Sequence, residues 1–175
     1  MRRRQFNQAI AAALPAALLA AAQPLLAHTP FNQWRVYRRK HLLIGCHKDA
    51  PPTYELAKSL AQTLEHHLPD ARARVARAPH AYRIASLMAT DQLDTAIVDT
   101  ALAEKIASGQ GKFGVYGKVA INRLFSFGDL QLVVLANMPE RHAGLIHHAL
   151  AEAYPVPDTD APSALAWHPG IHHAG

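Results

Sequence analysis

Three short segments carry the residues best suited to chemistry: Gly45-Cys46-His47-Lys48-Asp49, Ala78-Pro79-His80 and Asp99-Thr100. Each follows a strand-like run and leads into a helical pattern, so each is a strand-to-helix turn. In an open α/β sheet, ligands sit outside the carboxyl ends of the strands. The first backbone N–H groups of a helix lack partners, and together with the helix dipole they favour an anion. Lys48, His47 and His80 add positive or donor character, and Gly45 lets the backbone come close. A small carboxylate, phosphate or phosphonate is the guest this pattern implies. The candidate binding residues are Gly45, Cys46, His47, Lys48, Pro79, His80, Asp99 and Thr100. The alternative is that Asp49 and Asp99 only cap the helices they precede.

Histidine suggests a second chemistry. All 12 histidines lie beyond residue 27. The pairs His66-His67 and His147-His148 point to different sides of a helix and are poor chelators. His168 and His172 are four apart, but Pro169 and Gly170 between them exclude regular helix; with His173 they form a candidate loop site for Cu or Zn. Cleavage after Ala27 would expose His28 as an N-terminal residue, whose amine and imidazole make a two-nitrogen copper chelate resembling the histidine brace. The alternative function is therefore a periplasmic copper- or zinc-binding protein using His28, His168 and His172.

Catalysis has little support. The chain has no nucleophile elbow, no glycine-rich phosphate loop and no CxxC motif. Cys46 and His47 are neighbours in sequence, but a catalytic pair is defined in space by an oriented base. A thiol-dependent enzyme at Cys46 is a third reading; a small buried cysteine at a strand end is favoured, and no enzymatic activity is expected.

The elements that must position these turns follow from periodicity. His41 to Gly45 reads as a buried strand, and the stripe Leu56, Ala57, Leu60, Ala61, Leu64 and Leu68 as one face of a helix from Tyr54 to Leu68. Ala71 to Ala78 is read as a second strand, residues 80–90 as a second helix, Leu93 to Val98 as a third strand, and a third helix runs to Ser108. Val119 to Phe127 and Leu130 to Asn137 are β-rich runs joined at Gly128-Asp129, which predicts a hairpin. A last helix runs from Pro139 to about Ala153, and the rest is an irregular tail. Strands alternating with helices predict an α/β fold, mainly a parallel sheet flanked by helices, with a β-hairpin in the second half.

Residues 1–27 read as an export leader: Arg2, Arg3 and Arg4 are basic, a weakly apolar stretch follows, and Ala27 is a small residue at the cut. Arg3-Arg4-Gln5-Phe6 resembles a twin-arginine signal, the route of proteins that fold before export. Pro15 and Pro24 interrupt the alanine run, so it makes a poor permanent span, which wants about twenty strongly apolar residues. Export implies a periplasmic location. Without the leader, 15 Lys+Arg face 13 Asp+Glu, a formal charge of about +2, so the basic balance of the whole chain gives no reason to expect nucleic acid as a partner. A single cysteine allows no internal disulfide, and the expected division is residues 28–40 as an arm, 41–153 as one domain and 154–175 as tail.

Tyr54-Glu55-Leu56-Ala57-Lys58, the strand Leu93 to Val98, Ala103-Glu104-Lys105-Ile106-Ala107, the run Leu130 to Ala136 and the tail Ala166-Trp167-His168-Pro169-Gly170 follow an order that resembles periplasmic solute-binding proteins, above all the TAXI-type receptors of TRAP transporters. The resemblance spans most of residues 41–170. It implies a solute-binding fold, a small anionic solute and a membrane transporter component as partner. Those receptors close two lobes on a ligand and run to about twice this length, so this chain is expected to be a one-lobed relative. A single lobe implies weaker binding, or a partner protein that completes the site, and hence an accessory role. No resident cofactor is implied, apart from the Cu or Zn of the alternative.

Overall fold

The computed structural model describes residues 40–156 and 164–173. The expected leader and residues 28–39 of the expected arm lie outside the described residues. Strand β1 is Leu43–His47, helix α1 Pro51–His67, β2 Arg74–Ala78, α2 Ala81–Ala89, β3 Thr95–Asp99 and α3 Thr100–Ser108. After a 3-10 segment, Gly111–Tyr116, come β4 Ile121–Phe127, β5 Leu130–Leu135 and α4 Glu140–Ala151. No helix among the described residues is long and apolar enough to cross a membrane.

The five strands form one sheet in the order β2-β1-β3-β5-β4. β1 lies parallel to both β2 and β3, whereas β5 runs antiparallel to β3 and to β4. The sheet is therefore mixed: parallel on one side, with the predicted hairpin folded in on the other. The hairpin turns at Gly128, whose φ of 64° is left-handed backbone that glycine adopts without strain. β5 inserts between β3 and β4, because its run Leu-Gln-Leu-Val-Val-Leu is apolar on both faces and must be covered on both.

Helices cover both faces. α1 and α4 bury Ala57, Leu60, Leu64, Ile146 and Leu150 with Ile44, Cys46, Ile97 and Leu132 on one side. α2 and α3 bury Ile84, Met88, Leu102 and Ile106 with Ala96, Val98 and Val133 on the other. The chain steps outward from β1 to β2 through α1 and back across β1 to β3 through α2. Right-handed crossovers put two such helices on opposite faces. β1 is thus the point where the strand order reverses, which is where open α/β sheets place ligands.

Two boundaries differ from the sequence expectation for a physical reason. α1 begins at Pro51, three residues early, since proline is preorganised for the first turn and needs no N–H there. β2 starts only at Arg74: Pro69–Ala71 forms a 3-10 turn, and Arg72 takes a left-handed conformation at φ 47°. The tail is better organised than expected. Arg123 N–H donates to Ala166 O and His168 N–H to Arg123 O, both at 2.8 Å, so residues 166–168 run alongside β4 as a short parallel partner.

Candidate functional site

The three turns do meet on one rim. Lys48 N–H donates to Ala78 O at 3.2 Å, tying the turn after β1 to the end of β2. Asp49 Oδ2 accepts from Ala81 N–H at 3.2 Å, so the acid after β1 caps α2 rather than the helix it precedes. Asp99 caps its own helix, accepting from Leu102 N–H at 2.8 Å. The hairpin reaches the same rim, where Thr100 N–H donates to Asp129 O at 3.1 Å. The described tail residues lie along β4, at the far edge of the sheet.

The helix N-termini are not the open anion cradle that the sequence suggested. α1 starts with two prolines, which have no N–H, and Thr53 N–H is bonded to Ala50 O at 3.0 Å. At α2, His80 Nδ1 accepts from Arg83 N–H at 3.1 Å while Asp49 takes Ala81. The chain's own acceptors therefore hold several of the amides assigned to a guest. Both aspartates bond helix-start amides, but only Asp99 caps the helix it precedes, as the alternative reading had it; Asp49 serves α2 instead.

Of the eight candidate residues, Gly45 and Cys46 belong to the sheet interior. A Cβ at Gly45 would come within 2.5 Å of Leu93 Cδ2 and 3.2 Å of Ile84 Cδ1, so this glycine lets α2 and Leu93 pack on β1 rather than admitting a ligand. Cys46 is fully buried in the α1–α4 core, on the face opposite His47. Burial pushes its thiol pKa up, against a smaller lowering by Arg77. That is the environment of an inert cysteine, not a nucleophile. Lys48, Pro79 and His80 are exposed on the rim, and Asp99 and Thr100 are half-buried there.

His47 stands apart. Its residue is 3 % exposed, yet both Nδ1 and Nε2 are buried without a hydrogen-bond partner. The nearest carboxylate oxygen, Asp49 Oδ2, is 3.9 Å from Nδ1. Burial lowers the His47 pKa, with Asp49 and then Asp99 pulling the other way and His80 adding to the lowering, so the ring is held neutral. A neutral imidazole offers one donor and one acceptor.

A second orphan shares its row. His47 pairs with Ala78, Val98 with Gln131 and Gln131 with Ser126, and the β1–β3 register brings His47 beside Val98. Strand alternation therefore puts Ala78, His47, Val98, Gln131 and Ser126 on one face. At about 4.8 Å per strand, His47 and Gln131 stand roughly 10 Å apart across that face. Gln131 Nε2 donates to Thr100 Oγ1 at 3.0 Å, while its Oε1 is buried with no partner. Sequence reasoning missed Gln131; the signal was a lone amide inside the apolar run Leu130 to Leu135.

A hollow of about 570 Å³ lies at the opposite rim, lined by Leu42, Asp70, Asp94, Asn137, Met138 and His142 among others. It faces the amino ends of β1 and β3, where none of the candidate residues sits. The orphaned polar atoms, not this volume, mark the stronger site.

The metal reading loses one ligand. His168 is fully buried; its Nδ1 accepts from Gly170 N–H at 3.1 Å, which leaves Nε2–H to donate to Met138 O at 3.1 Å. With both nitrogens engaged, this ring ties the tail to the residues before α4 and has no lone pair for a metal. His28 and the His172 side chain lie outside what the structure describes. Among the described residues no group of three or more His, Cys, Asp or Glu is placed to hold a metal ion.

Comparison with protein-family models, with curated proteins and with solved structures returns no match to this chain.

Proposed function

We propose that this is an exported, periplasmic binding protein that takes a small organic anion at the carboxyl rim of β1, β2 and β3, with His47 and Gln131 as the inner contacts. The observation that carries this reading is the set of orphaned buried atoms on His47 and Gln131 at the reversal point of the strand order. Buried polar groups in native proteins are almost always satisfied, so three orphans on one rim call for a guest or ordered water. Exposed Lys48 and His80 lie outside them, Lys48 supplying positive charge at the entrance and His80 a donor. His80 Nδ1 is already an acceptor, which leaves its other nitrogen as an outward donor.

The sequence resemblance to TAXI-type receptors supports the same reading, in a one-lobed form. A single rim leaves the guest exposed on its outer side, so a membrane transporter component or another partner completes the site. The protein acts as an accessory carrier with no catalytic step and no resident cofactor. An anion beside His47 favours the imidazolium, so binding takes up a proton and tightens as the pH falls.

A thermal-shift screen of small mono-, di- and tricarboxylates at pH 6 and pH 8 tests the site, since a ligand that binds only the folded state raises its melting temperature. The expected result is a shift that is larger at pH 6 and absent in His47→Leu. Equal shifts in both proteins would refute the assignment. N-terminal sequencing of the exported chain tests the leader separately; the expected first residue is His28.

A further inference from the structure

Arg123 is a buried charge with no counter-charge among the described residues. It sits at the irregularity of β4, where the register shifts between Arg123 and Phe125, and it is 5 % exposed. Its backbone N–H and C=O are both used by the tail. Its guanidinium lies over the Trp167 ring, 4.2 Å from the ring centre. The ring face answers part of the charge, but a stacked ring accepts no hydrogen bond from the in-plane Nε–H. Arg123 Nε and Trp167 Nε1 are both buried with no hydrogen-bond partner. No ion pair among the described residues includes Arg123. Val133, its partner across the ladder, is apolar and fully buried.

Burial lowers the pKa of this guanidinium, yet arginine stays charged at neutral pH. A desolvated charge that lacks a partner is strongly unfavourable, and two neighbouring orphaned donors double the demand for an acceptor. Every free group here is a donor, so the missing partner is an acceptor carrying negative charge. Trp167 is half-buried at the sheet edge, which keeps the pair within reach of solvent.

We infer that Arg123 and the indole N–H of Trp167 form a second anion site, at the tail edge of the sheet, that takes a small oxyanion of the phosphate or carboxylate class. Planar, forked donors suit oxyanions. The site shares no residue with the His47 rim, so either can fail without the other.

The test reads the indole N–H resonance of Trp167 in the full chain carrying Trp34→Phe, which removes the only other tryptophan. Inorganic phosphate and acetate are titrated against sodium chloride at matched ionic strength. The expected result is a saturable shift with phosphate or acetate, none with chloride, and at least ten-fold weaker binding in Arg123→Met. Should Arg123→Met fail to fold, Arg123→Lys, which keeps the charge but loses the fork, is read the same way. A resonance that does not move with either oxyanion, or that moves equally in the Arg123 variant, overturns the inference. So does a shift that appears only in Asp158→Asn/Asp160→Asn, which would identify the chain's own carboxylates as the partner.

Discussion

Replacing His47 by leucine should make the protein more stable and less functional. The two ring nitrogens of His47 are buried and unpaired. Each such group costs about 1–3 kcal/mol when it gives up water without a new partner. Leucine has a similar volume, has no polar atom, and would face Ala78, Val98 and the α2–α3 core on the same side of the sheet. Allowing for imperfect packing of the new side chain, the net gain is about 1–3 kcal/mol, or a rise in melting temperature of about 3–10 °C for a domain of this size. The pH dependence gives a second readout. Because the folded-state pKa of His47 is lowered, the unfolded chain binds the proton more readily. The stability tied to the neutral ring is thus complete above the ordinary histidine pKa of about 6.5, and it is lost as the pH falls from there toward the depressed folded value. His47→Leu removes that part of the acid slope. Melting curves of both proteins at pH 5, 6, 7 and 8 make the comparison. A variant that melts at or below the wild type at pH 8, with an unchanged acid slope, would show that the imidazole is already satisfied and would remove it from the site.

Two further changes probe the frame around the site. Gly170→Ala places a Cβ 2.2 Å from the Glu140 carbonyl oxygen, where backbone at the start of α4 cannot give way; a loss of about 1–3 kcal/mol is expected in urea unfolding, and an unchanged midpoint would argue against the docked tail. The Cys46 thiol, buried with a raised pKa, should resist a thiol reagent in the native protein and react fully once unfolded. Rapid native-state labelling would restore the thiol-dependent reading.

Much of the fold was legible because the helices announce themselves. The Leu56, Leu60, Leu64 stripe lies on one helical face, and Gly128-Asp129 between two β-rich runs gave the hairpin. β2 was blurred because Arg74-Val75-Ala76-Arg77-Ala78 holds a single β-branched residue on an edge strand, where little packing is demanded. The insertion of β5 between β3 and β4 was not legible, since it depends on pairing between distant segments rather than on any local period. At the site, the meeting of the three turns follows from strand topology alone. Which side chains face the rim follows from alternation: consecutive Cys46 and His47 must point to opposite faces, so naming both as contacts of one cleft overlooked the strand period. His168 looked like a ligand because it stands four residues from His172; its hydrogen bonds to Met138 and Gly170 are a tertiary arrangement that spacing does not reveal.

The segment Ala166 to His168 supplies the outer neighbour of β4, which the hairpin alone leaves bare. An open strand margin is a template on which other chains can add. At its other margin the sheet ends in β2, whose Arg74 and Arg77 discourage such growth by charge; at β4 the deterrent is a cover. A growing polypeptide therefore lacks this cover on β4 until synthesis has passed His168. The tail thus acts as the last latch to shut, and a product cut short before it is an invitation to polymerise.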